Sequence, residues 1–146
     1  MTFAPTELLR EANLRVTGPR LAVLTEVEAH PHSTAEAIVE AVRDRLGTAT
    51  IQSVYHILNA LTEAHILRRI EPEGSPGRFE LFRDDNHHHL VCRTCGQIND
   101  VACTVGDAPC LTASDDHGYV IDAAEVIFWG TCPSCATQAT QTQPTS

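Results

Sequence analysis

Two short thiol pairs constrain this chain more than anything else in it: Cys92-Arg-Thr-Cys95-Gly and, much further on, Cys132-Pro-Ser-Cys135. A Cys-x-x-Cys turn presents two sulfurs from one place, and a tetrahedral zinc ion takes four such ligands. The pairs therefore imply that distant parts of the chain close on a single centre. Two redox dithiols or a disulfide framework are the competing uses of the same spacing. The N-terminus, Met-Thr-Phe-Ala-Pro-Thr-Glu-Leu-Leu-Arg, lacks the basic-then-apolar layout of a secretory signal. Six cysteines without one point to a reducing, cytoplasmic compartment, where thiols bind metal or sense oxidants. That setting favours zinc.

Immediately before the first pair stand His87, His88 and His89. On a strand His87 and His89 face one way and His88 the other. No apolar run approaches the roughly 20 residues of a membrane helix, so no membrane partner is expected. The net charge of −9 is unevenly placed. Up to Arg83, nine arginines nearly balance eleven acids, whereas beyond it Arg93 stands alone against eight. An acidic total argues against loose binding to nucleic acid, but not against a DNA reader with its basic residues on one face. The acidic second half suits divalent cations.

The first half reads as helices. Pro5 to Asn13 forms a short one, and Thr17 or Gly18 caps the next, with Pro19 at its first position. Leu21, Leu24 and Val27 carry that helix to His30-Pro31. Ser33-Thr-Ala-Glu36 matches a capping box opening a third helix, which Gly47 closes. From a cap at Thr48 or Thr50, Ile51, Val54, Leu58 and Leu61 form one apolar stripe. Gln52, His56, Asn59 and Glu63 lie opposite, flanked by Ser53 and Tyr55. Ile66–Ile70 and Arg78–Phe82 then read as a hairpin around a Pro/Gly turn. Helices followed by a hairpin suggest a winged helix, and the exposed Gln/His/Asn row suggests that it reads bases, because Gln and Asn amides pair with adenine. A generic helical lobe with a hairpin is the bland alternative.

Asp84-Asp85-Asn86 marks a boundary. Beyond it His87–Val91, Gln97–Ala102 and Glu125–Trp129 are predicted strands, and Val105–Ser114 a short helix. The expected class is α+β. Residues 1–83 form a winged-helix DNA-binding domain, and 84–136 a second, small α/β domain holding the four-cysteine zinc site. Residues 137–146, rich in Thr, Gln and Ala, form a disordered tail.

Ser53-Val-Tyr55 on the third helix of the winged helix, Arg78-Phe-Glu80-Leu, His-x-His, Cys-x-x-Cys-Gly and a terminal Cys-x-x-Cys resemble the ferric uptake regulator (Fur) family. Arg15-Val-Thr-Gly-Pro-Arg20, Asp85-Asn-His-His-His and Gly106–Asp115 look like its FurA/CatR branch, actinobacterial repressors of peroxide-defence genes, notably catalase-peroxidase. The resemblance implies a cytoplasmic homodimer that represses transcription on double-stranded operator DNA, with 84–136 as its dimerisation and metal-binding domain. It assigns structural Zn2+ to Cys92, Cys95, Cys132 and Cys135. It assigns a regulatory Fe2+, or another divalent metal such as Mn2+ or Zn2+, to His32, Glu80, His87, His89 and Asp100. His88, Asp107 and His117 match a third metal site, although the family's C-terminal-strand histidine is replaced by Ala124. Arg15 matches a minor-groove contact and Tyr55 a base contact. With Arg20, Gln52, Ser53, His56 and Asn59 they make the expected DNA-binding set. His56 stands where many members have a phosphate-binding arginine.

Three imidazoles and two carboxylates, without a thiolate, suit Fe(II), Mn(II), Co(II) or Zn(II). Cys103 and Cys110 lie outside the zinc set and are the redox candidates, or else small buried apolar residues. An oxygenase built on His-x-His and a carboxylate needs a strand-rich fold, and half this chain is helical, so no enzyme is expected. A stand-alone zinc ribbon leaves His32, Glu80 and Asp100 without a role. An iron- or zinc-uptake repressor without redox sensing is the alternative to peroxide sensing.

Overall fold

The computed structural model describes residues 3–74, 76–82, 87–102, 113–121 and 124–142. The chain divides into two compact units, Met1–Arg83 and Asp84–Ser146.

Unit 1 contains α1 (Pro5–Glu11), α2 (Gly18–Ala29), β1 (Ser33–Thr34), α3 (Ala35–Leu46), α4 (Ile51–Glu63), β2 (Leu67–Ile70) and β3 (Arg78–Leu81). Thr17 caps α2 by accepting from the Arg20 N–H at 3.3 Å. Gly18 rather than Pro19 is its first residue, and both precede the first N–H that needs an intrahelical partner. The cap of α3 is Thr34, which accepts from the Ala37 N–H at 3.2 Å. The expected capping box starting at Ser33 does not form. Ser33 is drawn into β1 opposite Phe79, and its hydroxyl donates to the His30 carbonyl at 2.6 Å. Gly47 ends α3 at φ 80°, a left-handed turn that glycine takes without a Cβ clash.

Thr50 and Ser53 cap α4 reciprocally, side chain to backbone N–H in both directions. The stripe α4 buries is Val54, Ile57, Leu58 and Leu61, the spacing of one helical face. Ile51, expected at the head of that stripe, is exposed in the first turn. The stripe packs with Val23, Leu24 and Val27 of α2, Ile38 of α3 and Phe79 of β3 in one apolar cluster. Thr50→Ala removes the cap oxygen, and the expected loss is about 1 kcal/mol of stability. The urea midpoint of unfolding reads this, and an unshifted midpoint would show that the cap contributes nothing.

β3 is central in a three-stranded antiparallel sheet of order β1-β3-β2. Its register with β2 sets Arg68 opposite Glu80, and its register with β1 sets Ser33 opposite Phe79. The hairpin is thus extended by a strand inserted between α2 and α3. Two residues are too short for any alternation to show, so sequence periodicity misses it.

Unit 2 contains β4 (His87–Cys92), β5 (Ile98–Ala102), β6 (Ile127–Gly130) and α5 (Pro133–Thr142). The sheet order is β5-β4-β6, with β4 antiparallel to β5 and parallel to β6. β6 starts two residues later than expected, because its ladder with β4 begins at Ile127 opposite His89. Of the helix expected over Val105–Ser114, Ala113 and Ser114 are not helical, and the rest lies outside the described residues. Residues 137–142, expected in a disordered tail, continue α5. Pro133 suits the first helical turn, and Ala and Gln favour helix over coil. No described helix is long and apolar enough to cross a membrane.

Candidate metal centres

The parallel ladder between β4 and β6 assembles the four thiols. It sets Cys92, the last residue of β4, opposite Gly130, the last of β6. Both strands run the same way, so the turn after β4 and the turn after β6 leave from one end of the sheet. In the first turn, the Gly96 N–H donates to the Cys92 carbonyl at 2.9 Å, and Gly96 takes φ 77°, where a Cβ would be strained. Cys132 directly precedes α5, and Cys135 lies in its first turn. One potential donor atom from each of Cys92, Cys95, Cys132 and Cys135 lies within 4.8 Å of the other three.

These sulfurs fit a tetrahedral ion. A zinc–sulfur bond of about 2.3 Å places two ligands of a tetrahedron about 3.8 Å apart. Cys95 Sγ and Cys132 Sγ are 3.8 Å apart. The protonation pattern points the same way. The Cys132 backbone N–H donates to Cys92 Sγ at 3.3 Å. That bond first, then the Cys95 backbone N–H, lowers the Cys92 pKa to about 5, so this sulfur is a thiolate at neutral pH. Cys135 is pushed up to about 12, chiefly by its side-chain hydrogen bond with Cys132 and then by burial. Cys135 thus resists the ionisation that Cys92 undergoes readily, and a bound cation would favour its thiolate.

A second donor set sits on the other end of β4. The β4–β5 register places His89 opposite Asp100, and His87 lies two residues away on the same face. His89 Nε2 is 3.4 Å and His87 Nε2 3.9 Å from Asp100 Oδ1, and the two rings meet edge to face with centroids 5.0 Å apart. His89 is 1% exposed and Asp100 47%, so the imidazole is fixed while the carboxylate reaches outward. On β4 it is Leu90 that is exposed and His88 and His89 that are buried, the reverse of what hydrophobicity alone dictates. His88 faces the other way, with its ring 6.2 Å from that of Phe128.

Unit 1 holds a further pair. His32 Nε2 is 3.2 Å from Glu80 Oε2, and the two side chains are 12% and 5% exposed. His32 takes φ 69°, a conformation that costs a non-glycine residue roughly 1–3 kcal/mol. Two bonds from β3 hold it there: its N–H donates to the Phe79 carbonyl at 2.8 Å, and Arg78 Nη1 donates to its carbonyl at 3.2 Å. Arg68 Nη1 is 3.7 Å from the other Glu80 oxygen. Motif reading did not pick out Arg68. The hairpin register, which pairs it with Glu80, would have. Imidazoles and carboxylates of this kind suit Fe(II), Mn(II), Co(II) or Zn(II).

The remaining expected residues fall as follows. His117 is exposed and 3.6 Å from Asp115. Among the described residues no cluster of three or more potential metal donors includes His88 or His117. Asp107, Cys103 and Cys110 lie outside the described residues. On α4, Gln52, Ser53, His56 and Asn59 are exposed and Tyr55 is half-buried. Arg15 is exposed, and its carbonyl accepts from Arg20 Nη1 at 2.7 Å.

Residues 11–128 match the ferric uptake regulator family. The chain belongs to that family of metal-responsive transcriptional regulators, which are not enzymes. It is 57% identical over 130 residues to the transcriptional regulator FurA of Mycobacterium tuberculosis, covering 89% of this chain and 88% of that one. Among solved structures, the ferric uptake regulator of Vibrio cholerae aligns with a TM-score of 0.67 at 26% identity, over 88% of this chain and all of that one. The Helicobacter pylori regulator, described as having three functional metal binding sites, aligns with a TM-score of 0.72. At 19% identity over 93% of this chain and 97% of that one, it speaks for the fold alone.

Proposed function

We propose that this chain is a metal-dependent homodimeric repressor that grips double-stranded operator DNA through unit 1 when its regulatory site is filled. Peroxide oxidation releases it, and catalase-peroxidase and other oxidative-stress genes are its targets. The observation that carries this reading is the division of nitrogen and oxygen donors: His32 and Glu80 in one unit, His87, His89 and Asp100 in the other. A divalent ion bound by these donors would favour the form of the dimer that fits DNA, a shift of population rather than a new contact. Structural Zn2+ belongs to Cys92, Cys95, Cys132 and Cys135. Fe2+, with Mn2+ or Zn2+ as substitutes, belongs to the regulatory donors.

Unit 1 supports the DNA assignment as a winged helix. Helix α4 leads with an exposed Gln52/Ser53/His56/Asn59 row, whose amides can read adenine in the major groove. Tyr55 adds a ring contact, and Arg15 and Arg20 supply charge for the minor groove and backbone. The acidic total means that affinity rests on this face rather than on bulk charge.

Redox-active iron at the regulatory donors would let peroxide oxidise a ligand such as His32 or His89. Thiol oxidation would instead release zinc. A gel shift on a duplex selected from a random pool, run with each divalent metal and with or without peroxide, separates these cases. The expected result is binding with Fe(II), lost on mild peroxide, with one oxygen atom added to a histidine by mass spectrometry. Disulfides with released zinc, whatever the regulatory metal, would assign sensing to the thiols. An Fe(II)-loaded protein that keeps its DNA through peroxide with neither lesion would be an uptake repressor without redox sensing.

A further inference from the structure

Arg93 is the one Lys or Arg residue beyond Arg83, and it occupies the turn between Cys92 and Cys95. Its guanidinium carbon lies 5.1 Å from the centroid of the Trp129 ring. Trp129 is the chain's single tryptophan and stands three residues before Cys132. Beneath this stack the Arg93 N–H donates to the Gly130 carbonyl at 2.9 Å, and the Cys132 N–H donates to Cys92 Sγ at 3.3 Å. Each cysteine pair therefore carries one half of a contact: the cation beside the first, the ring beside the second.

We propose that Arg93 and Trp129 form a clasp across the two cysteine pairs that slows loss of the metal from the four-thiolate centre. The inference rests on the reading that these cysteines hold zinc. Neither residue is a ligand, and both act by position. Cys95 is the exposed thiol of the four and sits on the turn that Arg93 anchors, so it is where a chelator would enter. Four thiolates around a divalent ion carry excess negative charge, and a guanidinium, ionised at every accessible pH, offsets it without competing for the metal. Its planar face also stacks on indole, which an ammonium does less well. Charge and stacking can therefore be tested separately.

The experiment uses the zinc-loaded full chain challenged with an excess of a chromogenic chelator, reading the first-order rate of zinc release. A cobalt-substituted sample reads the thiolate-to-metal charge-transfer band. Arg93→Gln is expected to release zinc roughly two- to five-fold faster, the range that an exposed cation–π contact spans. Trp129→Leu should do the same, Trp129→Phe less, and Arg93→Lys should recover part of the loss. The double variant Arg93→Gln/Trp129→Leu should be no faster than Arg93→Gln alone, because the stack is already lost once the guanidinium is gone. Every variant should keep its full zinc and an unshifted four-thiolate cobalt band, which a merely unfolded turn would not. Full loading with an unchanged release rate in Arg93→Gln, or strictly additive effects in the double variant, overturns the clasp alone. A wild-type chain that takes up neither zinc nor cobalt overturns the metal reading and the clasp with it.

Discussion

Cys92→Ser is expected to take the zinc content from about one ion per chain to almost none, and to unfold unit 2 while unit 1 keeps its helices. The asymmetry follows from where the apolar core lies. Every residue of the main buried cluster, from Leu9 to Phe79, belongs to unit 1. Among the described residues, the buried hydrophobics of unit 2 are Val91, Cys92 and Ile98, and Cys92 is itself a thiol ligand. A sheet with so little buried hydrocarbon depends on its metal, and structural zinc contributes roughly 10–16 kcal/mol in small zinc-dependent folds at neutral pH. Serine at 92 also removes the sulfur whose pKa is lowered to about 5, the one the Cys132 N–H holds as a thiolate. Elemental analysis and size-exclusion chromatography read the outcome, with the dimer expected to dissociate as unit 2 fails. Circular dichroism should retain the signal of α1 to α4. Full zinc in purified Cys92→Ser would remove the four-thiolate assignment.

Which parts of this were legible in sequence depends on the range of the interactions involved. Helix α4 was readable because Val54, Leu58 and Leu61 repeat at the helical period and Thr50 offers a cap oxygen, both local properties. The thiol pairs were readable because two-residue spacing is itself the geometry of a metal turn. Strand β1 was not, since Ser33 becomes a strand residue only through Phe79 on β3. The same pairing displaced the α3 cap from Ser33 to Thr34. Nor did the spacing say that β6 runs parallel beside β4, which is what brings Cys132 to Cys92. His89 could be suspected as a ligand from its motif. Its near-complete burial beside an outward-facing Leu90 needed the sheet.

The second large effect separates regulation from folding. Glu80→Gln and His89→Ala are each expected to leave one zinc per chain and an intact dimer, yet to weaken the metal's enhancement of operator binding about 5- to 150-fold, the usual range of coupling between two sites. Glutamine is the informative change at 80. The Glu80 carboxylate is buried between His32 Nε2 at 3.2 Å and Arg68 Nη1 at 3.7 Å, so alanine would strand a guanidinium and confuse instability with lost metal. Glutamine keeps the shape and one acceptor oxygen for Arg68 while removing the charge that a divalent ion requires. His89 needs no such care for zinc, because its contact with Asp100 lies at the other end of β4 from Cys92. Operator affinity measured with and without saturating Mn(II), which avoids iron redox chemistry, gives the coupling directly. Equal metal enhancement in wild type and both variants would show that neither side chain holds the regulatory ion. Loss of zinc or of the dimer in His89→Ala would make that histidine part of the architecture instead. If both variants keep their fold and lose only the metal response, the buried His89 imidazole and Glu80 carboxylate are maintained at a cost in stability for the sake of the ion they bind.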